Sequence, residues 1–437
     1  MLPRKTALTI VLFGAIILPA VYWPQITAIL QNEPKPVVLK LAEPPKPAAP
    51  PIPNLEVPAG SLDRFYNALR RVETRQIGAI VRVLHYGDSP TTADSIMADV
   101  RSLFQARFGD AGHGFVLIAK PWAWYGHRGI QIDAKNWQIE AASMKRAADH
   151  SHGLGGVNFI GGIGAVSKIR LPDERHTSVT VHYLQQPDGG SFTVSSVGPA
   201  GETELGTVDT AAEVKTPAFQ EFALPNGTRT VELRVISGKI RAFGYRFDKP
   251  GPGLQYSSLG INGAHVEMLV RSFQKEDWRT ELREENPDLL VLNYGTNESI
   301  FPAYIEKQYP VELRSVLTYL KAALPETSIL VMSPMDRGTI DASGNIVTPD
   351  ALLKLIAVQR QVAADLHCAF FNTFEAMGSK GTMGRWYNEE QPRLVSADFM
   401  HPLPAGAAKV GALVEAALVK SYEQGSYQQT TRAVPSR

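Results

Sequence analysis

The pattern of apolar and polar positions along the chain changes period twice. From Ile80 to Leu84 the run is largely apolar, as expected of a strand buried in a sheet, and it leads into Gly87-Asp88-Ser89. Ile96, Val100, Leu103, Phe104 and Phe108 then recur at i, i+4, i+7, i+8 and i+12, which predicts a helix with one apolar stripe, stopped by Gly109 and Gly112. Ser89 is thereby placed at a strand-to-helix turn. From about Trp122 to Phe247 the period drops to two, as in Thr230-Val231-Glu232-Leu233-Arg234-Val235, with turn signals at Asp188-Gly189-Gly190 and Asn226-Gly227. That stretch predicts an all-β module. Longer elements then return: a helical stretch from Gly263 to Phe273, a strand from Leu289 to Asn293 and a helix from Val311 to Leu324. A strand from Ile329 to Met332, a helix from Ala351 to Leu366, a short strand from Ala369 to Phe371 and a helix from Ala405 to Tyr422 complete the series. The economical reading is one α/β domain in two pieces, residues 61–121 and 251–422, interrupted by a β-sandwich or jelly-roll insert over 122–250.

The ends carry neither period. Arg4 and Lys5 precede a run of 17 residues without charge, Ala7 to Trp23. This is short of the about 20 residues usual for a membrane span, yet Tyr22 and Trp23 suit an interface and no small-x-small cleavage site follows. We expect an uncleaved signal anchor over 7–24 with residues 1–6 in the cytoplasm, so that the protein is a single-pass inner-membrane protein with its bulk in the periplasm. Nine prolines between Glu33 and Gly60 make 25–60 an extended linker, and 423–437 reads as a disordered polar tail.

Composition excludes several classes of function. With 44 basic and 43 acidic residues the net charge is +1, so no field gathers nucleic acid. Cys368 is the only cysteine, which excludes an internal disulfide and a Cys-rich zinc site; lying among apolar residues, it reads as an inert core thiol. His150 and His152 form a His-x-His pair with no carboxylate or cysteine beside it to complete a site, and no metal is expected.

The candidate chemistry lies in three short motifs of the α/β pieces, each at a position that converges on the carboxyl edge of a parallel sheet. Gly87-Asp88-Ser89 ends the first strand, Gly295-Thr296-Asn297 follows Leu289 to Asn293, and Asp398-Phe399-Met400-His401 precedes the last helix. Taken singly, Asp88-Ser89 reads as a turn, Asn297 as a cap, and Asp398 with His401 as a helix start before Pro402. Together they supply a nucleophile, a base and the carboxylate that fixes the base's tautomer: Ser89, His401 and Asp398. A tetrahedral intermediate also needs donors for its oxyanion, and the Asn297 amide and the backbone N–H groups of Gly263 and Ser89 are candidates. Asp88 itself is expected to be structural. Trp122, Trp124 and Tyr125, beside His127 and Arg128, have two readings, a sugar-stacking platform or core packing.

These blocks resemble those of the SGNH, or GDSL-like, hydrolase family: Gly87-Asp88-Ser89 the nucleophile block, Gly263 the oxyanion glycine, Gly295-Thr296-Asn297 the asparagine block, Asp398 and His401 the terminal Asp-x-x-His. The resemblance covers about 230 residues. It implies a three-layer α/β/α fold with a flavodoxin-like parallel sheet, a serine esterase mechanism and no cofactor. The absence of G-x-S-x-G around Ser89 separates the chain from α/β-hydrolases. Pro90 after Ser89 and Glu298 after Asn297 depart from the commoner residues of the family. The insert, Arg107 to Phe115, Tyr294 to Glu298 and the export signal narrow the resemblance to cell-envelope members with a carbohydrate-binding-like module, such as peptidoglycan O-acetylesterases and polysaccharide O-acetyltransferases. The implied substrate is an acetylated envelope glycan such as peptidoglycan. Two competing readings are an O-acetyltransferase with the same triad and a glycan-binding protein with a silent one.

Overall fold

The computed structural model describes residues 52–144, 146–199 and 201–425. The expected anchor, most of the linker and nearly all of the tail lie outside the described residues. Among the described residues no helix is long and apolar enough to cross a membrane.

The described residues open with β1 (Leu55–Glu56), α1 (Asp63–Glu73) and β2 (Ile80–Gly87), which leads into the short α2 (Ser89–Thr92) and then α3 (Ser95–Phe108). Nine strands follow: β3 (Gly114–Leu117), β4 (Gln131–Ala141), β5 (Val157–Arg170), β6 (Ser178–Gln185), β7 (Ser191–Gly198), β8 (Gly201–Asp209), β9 (Thr216–Ala223), β10 (Thr230–Ser237) and β11 (Lys239–Asp248). The α/β half resumes with β12 (Gly253–Gly260), α4 (Met268–Arg271), α5 (Lys275–Glu285), β13 (Leu289–Asn293), α6 (Pro302–Lys307), α7 (Tyr309–Ala323) and β14 (Ser328–Met332). A small hairpin, β15 (Thr339–Ile340) and β16 (Ile346–Val347), precedes α8 (Asp350–Asp365), β17 (Ala369–Phe371), α9 (Thr373–Ala376), α10 (Thr382–Asn388) and α11 (Pro404–Glu423).

One sheet has the order β1-β17-β14-β13-β2-β12 and is parallel except for β1. Alternation along its strands sends Val81, Val83, Val291 and Leu330 to a core shared with Phe65 and Leu69 of α1, Phe104 of α3 and Val410 and Val414 of α11. Leu84, Tyr86, Leu290 and Leu292 face the other way, onto Trp278, Leu313, Leu317 and Leu355. This is the expected three-layer α/β/α arrangement. At about 1.5–3 kcal/mol for each large apolar side chain removed from water, the two faces hold the helices in place and level the strand ends on which the site is built.

Several expectations are corrected. The linker ends before residue 60, because Leu55 and Glu56 pair with Phe371 and Phe370 as an edge strand. In α3 the buried stripe is rotated toward Met97 and Arg101, leaving Leu103 38% exposed. Arg101 tolerates burial because it forms a two-point ion pair with Asp94, at 2.6 and 3.1 Å. The helix expected from Gly263 to Phe273 shrinks to the single turn α4, since Gly263 takes φ +68°, outside the helical region. β12 is a strand the period missed: its Gln255, Ser257 and Ser258 are buried, each with a hydrogen bond to a distant partner, Ala111 O, Phe115 N–H and Thr91 O.

The insert is a nine-stranded antiparallel sheet of order β8-β7-β10-β5-β11-β6-β9, with β4 on β5 and β3 on β11. β5 pairs with β11 through its first half and with β10 through its second, so the sheet folds over upon itself. It begins before residue 122, because Gly114–Leu117 lie in register with Gly244–Phe247 of β11. The insert shares one apolar core with the helical layer beneath it, with Phe115, Phe159, Val179 and Phe247 continuing the cluster that holds Tyr86 and Trp278. A buried charge group adds to that seam: His182 of β6 lies between Glu281 and Glu285 of α5, at 2.7 and 3.3 Å, and Arg246 of β11 reaches Glu285 at 3.1 Å.

Candidate active site

Strand register brings the sequence motifs together. Gly87 of β2 is level with Gly260 of β12 on one side and Asn293 of β13 on the other. Ser89, Gly263 and Asn297 therefore leave the carboxyl ends of three adjacent strands. The turn into α2 requires glycine at position 87: a Cβ there would lie 2.1 Å from Thr91 Oγ1 and 3.0 Å from Asn293 O.

His401 and Asp398 arrive on the last loop. That loop is closed by Ser396 N–H donating to His401 O at 2.9 Å, and at its turn Phe399 adopts φ +57° with its carbonyl accepting Gly338 N–H at 2.8 Å. The Phe399 ring packs edge-on against Tyr387, 4.9 Å between centroids. So held, His401 places Nε2 2.8 Å from Ser89 Oγ and Nδ1 2.6 Å from Asp398 Oδ2. Asp398 Oδ1 accepts the Ser396 hydroxyl at 2.5 Å and the N–H groups of Met400 and His401 at 3.0 Å. Burial pushes the Asp398 carboxyl up, but the Ser396 hydroxyl, the His401 N–H and ring, and the Met400 N–H outweigh it and hold the group well below the usual carboxylate range. The pair is open to solvent, with side chains 38% (His401) and 46% (Asp398) exposed.

Beside Ser89 lie the candidate oxyanion donors. Asn297 gives one amide hydrogen to Ala264 O at 2.8 Å, which leaves the other free to point into the site. Gly263 is exposed, and among the described residues its N–H meets no backbone acceptor. The Ser89 N–H opens α2 and so has no partner within the helix. Asp88, 1% exposed, accepts the Thr296 N–H at 3.1 Å and ties the serine turn to the asparagine loop; burial pushes its carboxyl up to about 7.

The three aromatic candidates separate. Trp122 and Tyr125 are buried in the core, the Tyr125 hydroxyl accepting Leu117 N–H at 3.1 Å, so they form no platform. Trp124 is 55% exposed and donates to Asn262 Oδ1 at 3.3 Å, on the residue before Gly263. A cleft of about 590 Å³ runs between the insert's Gly126–Ile130 loop and Ala93, Ser95, Asp99 and Pro404. The His150–His152 pair is engaged internally: the buried His152 accepts Ala147 N–H at 3.1 Å through Nε2, and its Nδ1 lies 3.0 Å from His150 O. Cys368 is buried, which pushes its thiol up to about 11. Two neighbours of the site were missed in the sequence. Arg337 donates to Thr296 O at 2.9 Å, and the buried Glu298 accepts Val266 N–H at 2.8 Å. Arg337 has no motif signal, and Glu298, though it follows Asn297 in its block, shows its contact only once the loops are folded together.

A serine, an imidazole and a carboxylate on the carboxyl edge of a flavodoxin-like sheet, with a glycine loop and an asparagine beside the serine, define the SGNH class of hydrolases. The model of the GDSL-like lipase/acylhydrolase family matches residues 238–409. Gly263, Asn297, Asp398 and His401 fall inside the match; Ser89 falls outside it because the insert separates it from the rest. A solved peptidoglycan O-acetylesterase shares the fold at 20% identity, with a TM-score of 0.73 over 84% of this chain and 99% of that one. An acetylxylan esterase from Geobacillus stearothermophilus is also similar, at 18% identity over 41% of this chain and 76% of that one, with a TM-score of 0.28. No curated protein sequence matches the chain.

Proposed function

We propose that the chain is a serine esterase that removes O-acetyl groups from a cell-envelope glycan such as peptidoglycan through an acyl-serine intermediate. The observation that carries the reading is the unbroken hydrogen-bonded series from Asp398 through His401 to Ser89, at 2.6 and 2.8 Å. His401 takes the Ser89 proton as Oγ attacks the acetyl carbonyl. The carbonyl oxygen gains its charge beside the N–H groups of Ser89 and Gly263 and the Asn297 amide, and His401 then protonates the departing sugar oxygen. Water, deprotonated by the same imidazole, attacks the acyl-serine; the bond to Ser89 Oγ breaks, the imidazolium returns the proton to Oγ, and acetate leaves. Asp398, kept ionised by its donors, fixes the Nδ1–H tautomer and balances the imidazolium.

The glycan part rests on three supports: the fold shared with a peptidoglycan O-acetylesterase along 84% of the chain, the exposed Trp124 on the rim, and the openness of the pair, which suits a polymer. The stretch from Ala7 to Trp23 supports a membrane anchor with the catalytic body in the periplasm. Acetate release from isolated cell-wall glycan, by wild type and by Ser89→Ala, tests the activity. Release only in the presence of an added acceptor glycan, with the acetyl group recovered on it, would mark a transferase, and no release at all would leave a silent binding protein. Loss of the wild-type protein from the membrane fraction in high salt would contradict the anchor.

A further inference from the structure

We propose that Glu298 is a positioning residue of the oxyanion hole: its carboxyl, by accepting the Val266 N–H, holds the loop that carries Gly263 against the loop that carries Asn297. The proposal rests on the esterase reading above and gives a role to the residue that follows Asn297.

The loop from Ile261 to Glu267 follows β12 and has little regular structure of its own, with α4 starting only at Met268. Gly263 sits exposed in it, so the direction of its N–H depends on how the loop is pinned. Two hydrogen bonds pin it to the neighbouring β13 loop: Asn297 Nδ2 to Ala264 O at 2.8 Å, and Val266 N to Glu298 Oε1 at 2.8 Å. Asp88 makes the matching tie on the other side, accepting Thr296 N–H at 3.1 Å. The three loops that carry Ser89, Asn297 and Gly263 are thus stapled in series by two buried carboxyls, Asp88 at 1% and Glu298 at 0% exposure. Donors preset before charge develops are what an oxyanion hole requires, and a shift of about 1 Å in such a site costs up to about 100-fold in rate.

The staple works best uncharged. Glu298 Oε2 is buried without a hydrogen-bond partner, and around Glu298 stand Asp88 from the serine turn, Glu267 from the adjoining loop, Tyr294 from the end of β13, Tyr304 from α6 and Tyr309 from α7. His265 lies 4.0 Å from Glu267, and the Arg337 guanidinium reaches the same corner by donating to Thr296 O at 2.9 Å. The group facing this corner from α8 is the neutral Gln359, which donates to Tyr294 O and Tyr309 Oη, both at 2.7 Å. The charges that act most strongly on Glu298 are those of two other acids, Asp88 and Glu267. Burial first, then the Asp88 charge, push the Glu298 carboxyl up to about 8. Below that pH it is neutral and still accepts through its carbonyl oxygen. Above it, a second buried negative charge arises behind donors that must hold an oxyanion.

The test is the steady-state kinetics of full-length wild type, Glu298→Leu, Glu298→Gln and Ser89→Ala on a small acetyl ester from pH 6 to 10, with folding checked by circular dichroism and thermal melts. Glu298→Leu, which removes the acceptor, is expected to lower kcat by about 10- to 100-fold with KM within about threefold. Glu298→Gln keeps an oxygen for Val266 N–H and is expected to restore most of that loss at pH 7 and to flatten the fall in kcat above pH 8. A folded Glu298→Leu enzyme with wild-type kcat, a loss confined to KM, or a Glu298→Gln profile that falls like wild type above pH 8 would each overturn the proposal. If Ser89→Ala is as active as wild type, the esterase reading itself fails; if Ser89→Ala is inactive and the Glu298 variants behave as wild type, only this inference fails.

Discussion

Replacing Asp398 by asparagine separates orientation from charge at this site, and the structure fixes which way the amide must turn. Asp398 Oδ1 already accepts from the Ser396 hydroxyl, Met400 N–H and His401 N–H, so the amide oxygen must stay on that side and its NH₂ must face His401. An NH₂ group donates, so the ring nitrogen that lies 2.6 Å from Oδ2 in the native site must become an acceptor. The ring proton then moves to Nε2, which at 2.8 Å from Ser89 Oγ donates to the hydroxyl instead of taking its proton. The same exchange in a serine-protease triad costs about 10⁴ in kcat, or about 5.4 kcal/mol at about 1.36 kcal/mol per decade. Because the native carboxylate is 46% exposed, solvent screens part of its charge effect, and a loss of about 10³ to 10⁴ is expected here. The measurement is kcat on a small acetyl ester near pH 8, for variants matched to wild type in their melting curves. Ser396→Ala is the comparison: it removes one of three donors and should cost less than about tenfold. A folded Asp398→Asn enzyme that loses less than tenfold would refute the assignment of His401 as the base held in one tautomer by Asp398.

Two further outcomes follow from other parts of the molecule. Trp124→Ala should lower kcat/KM on polymeric glycan by about tenfold or more while changing turnover of a small acetyl ester little, since remote contacts assist only substrates long enough to reach them; equal losses on both would show that Trp124 merely shapes the Asn262–Gly263 loop. His182 has Glu281 2.7 Å from Nδ1 and Glu285 3.3 Å from Nε2, and although burial opposes the charge, these two acids raise its pKa to about 9. Its stabilisation is therefore complete below the unfolded value of about 6.5 and lost as pH rises through about 9. His182→Gln should lower Tm by about 5 °C at pH 6.5 and flatten the fall in Tm between pH 7 and 9, and a wild-type Tm that is level over that range would contradict the buried ion group.

How much of this was legible in the sequence depended on whether a segment's burial was paid for by its own residues or by distant ones. β13 and β17 are legible to the residue, because Leu289 to Asn293 and Ala369 to Phe371 are apolar almost throughout. β12 is not, because Gln255, Ser257 and Ser258 look like a loop until Ala111, Phe115 and Thr91 are brought to them. The same holds at the site. Ser89, Asn297, Asp398 and His401 stand in short motifs that gain their meaning together, and register then explains how Ser89 and Asn297 share one edge. Glu298 and Arg337 act across loops, through Val266 and Thr296; nothing in its own neighbourhood marks Arg337, and the place of Glu298 after Asn297 does not tell what it holds. Among the aromatic candidates the sequence has no means of telling Trp124 from Trp122 and Tyr125, since only the path of the loop decides which ring faces out.

That loop also fixes what kind of insertion this is. A module hung from two flexible strands could be removed without disturbing the α/β body, but here the seam is closed at several levels. β3 of the insert lies beside β12 through Phe115 N–H and Ser257 Oγ at 3.0 Å. Tyr86 of β2 accepts Trp278 Nε1–H and donates to Leu154 O, each at 2.9 Å, so a strand of the catalytic sheet is bonded to a helix beneath it and to the insert at once. His182 and Arg246 lock the insert to α5 through buried carboxylates, an arrangement in which loss of one partner strands the others without water. From this rigid seat Trp124 bonds to Asn262, one residue from Gly263. The insert is thus built into the wall of the site, and under the proposed function a polymer lying along it would be positioned relative to Ser89 by packing and not by a tether. Cutting the insert out should consequently cost the fold of the catalytic half, whereas trimming exposed side chains on its rim should cost only the reach toward long substrates.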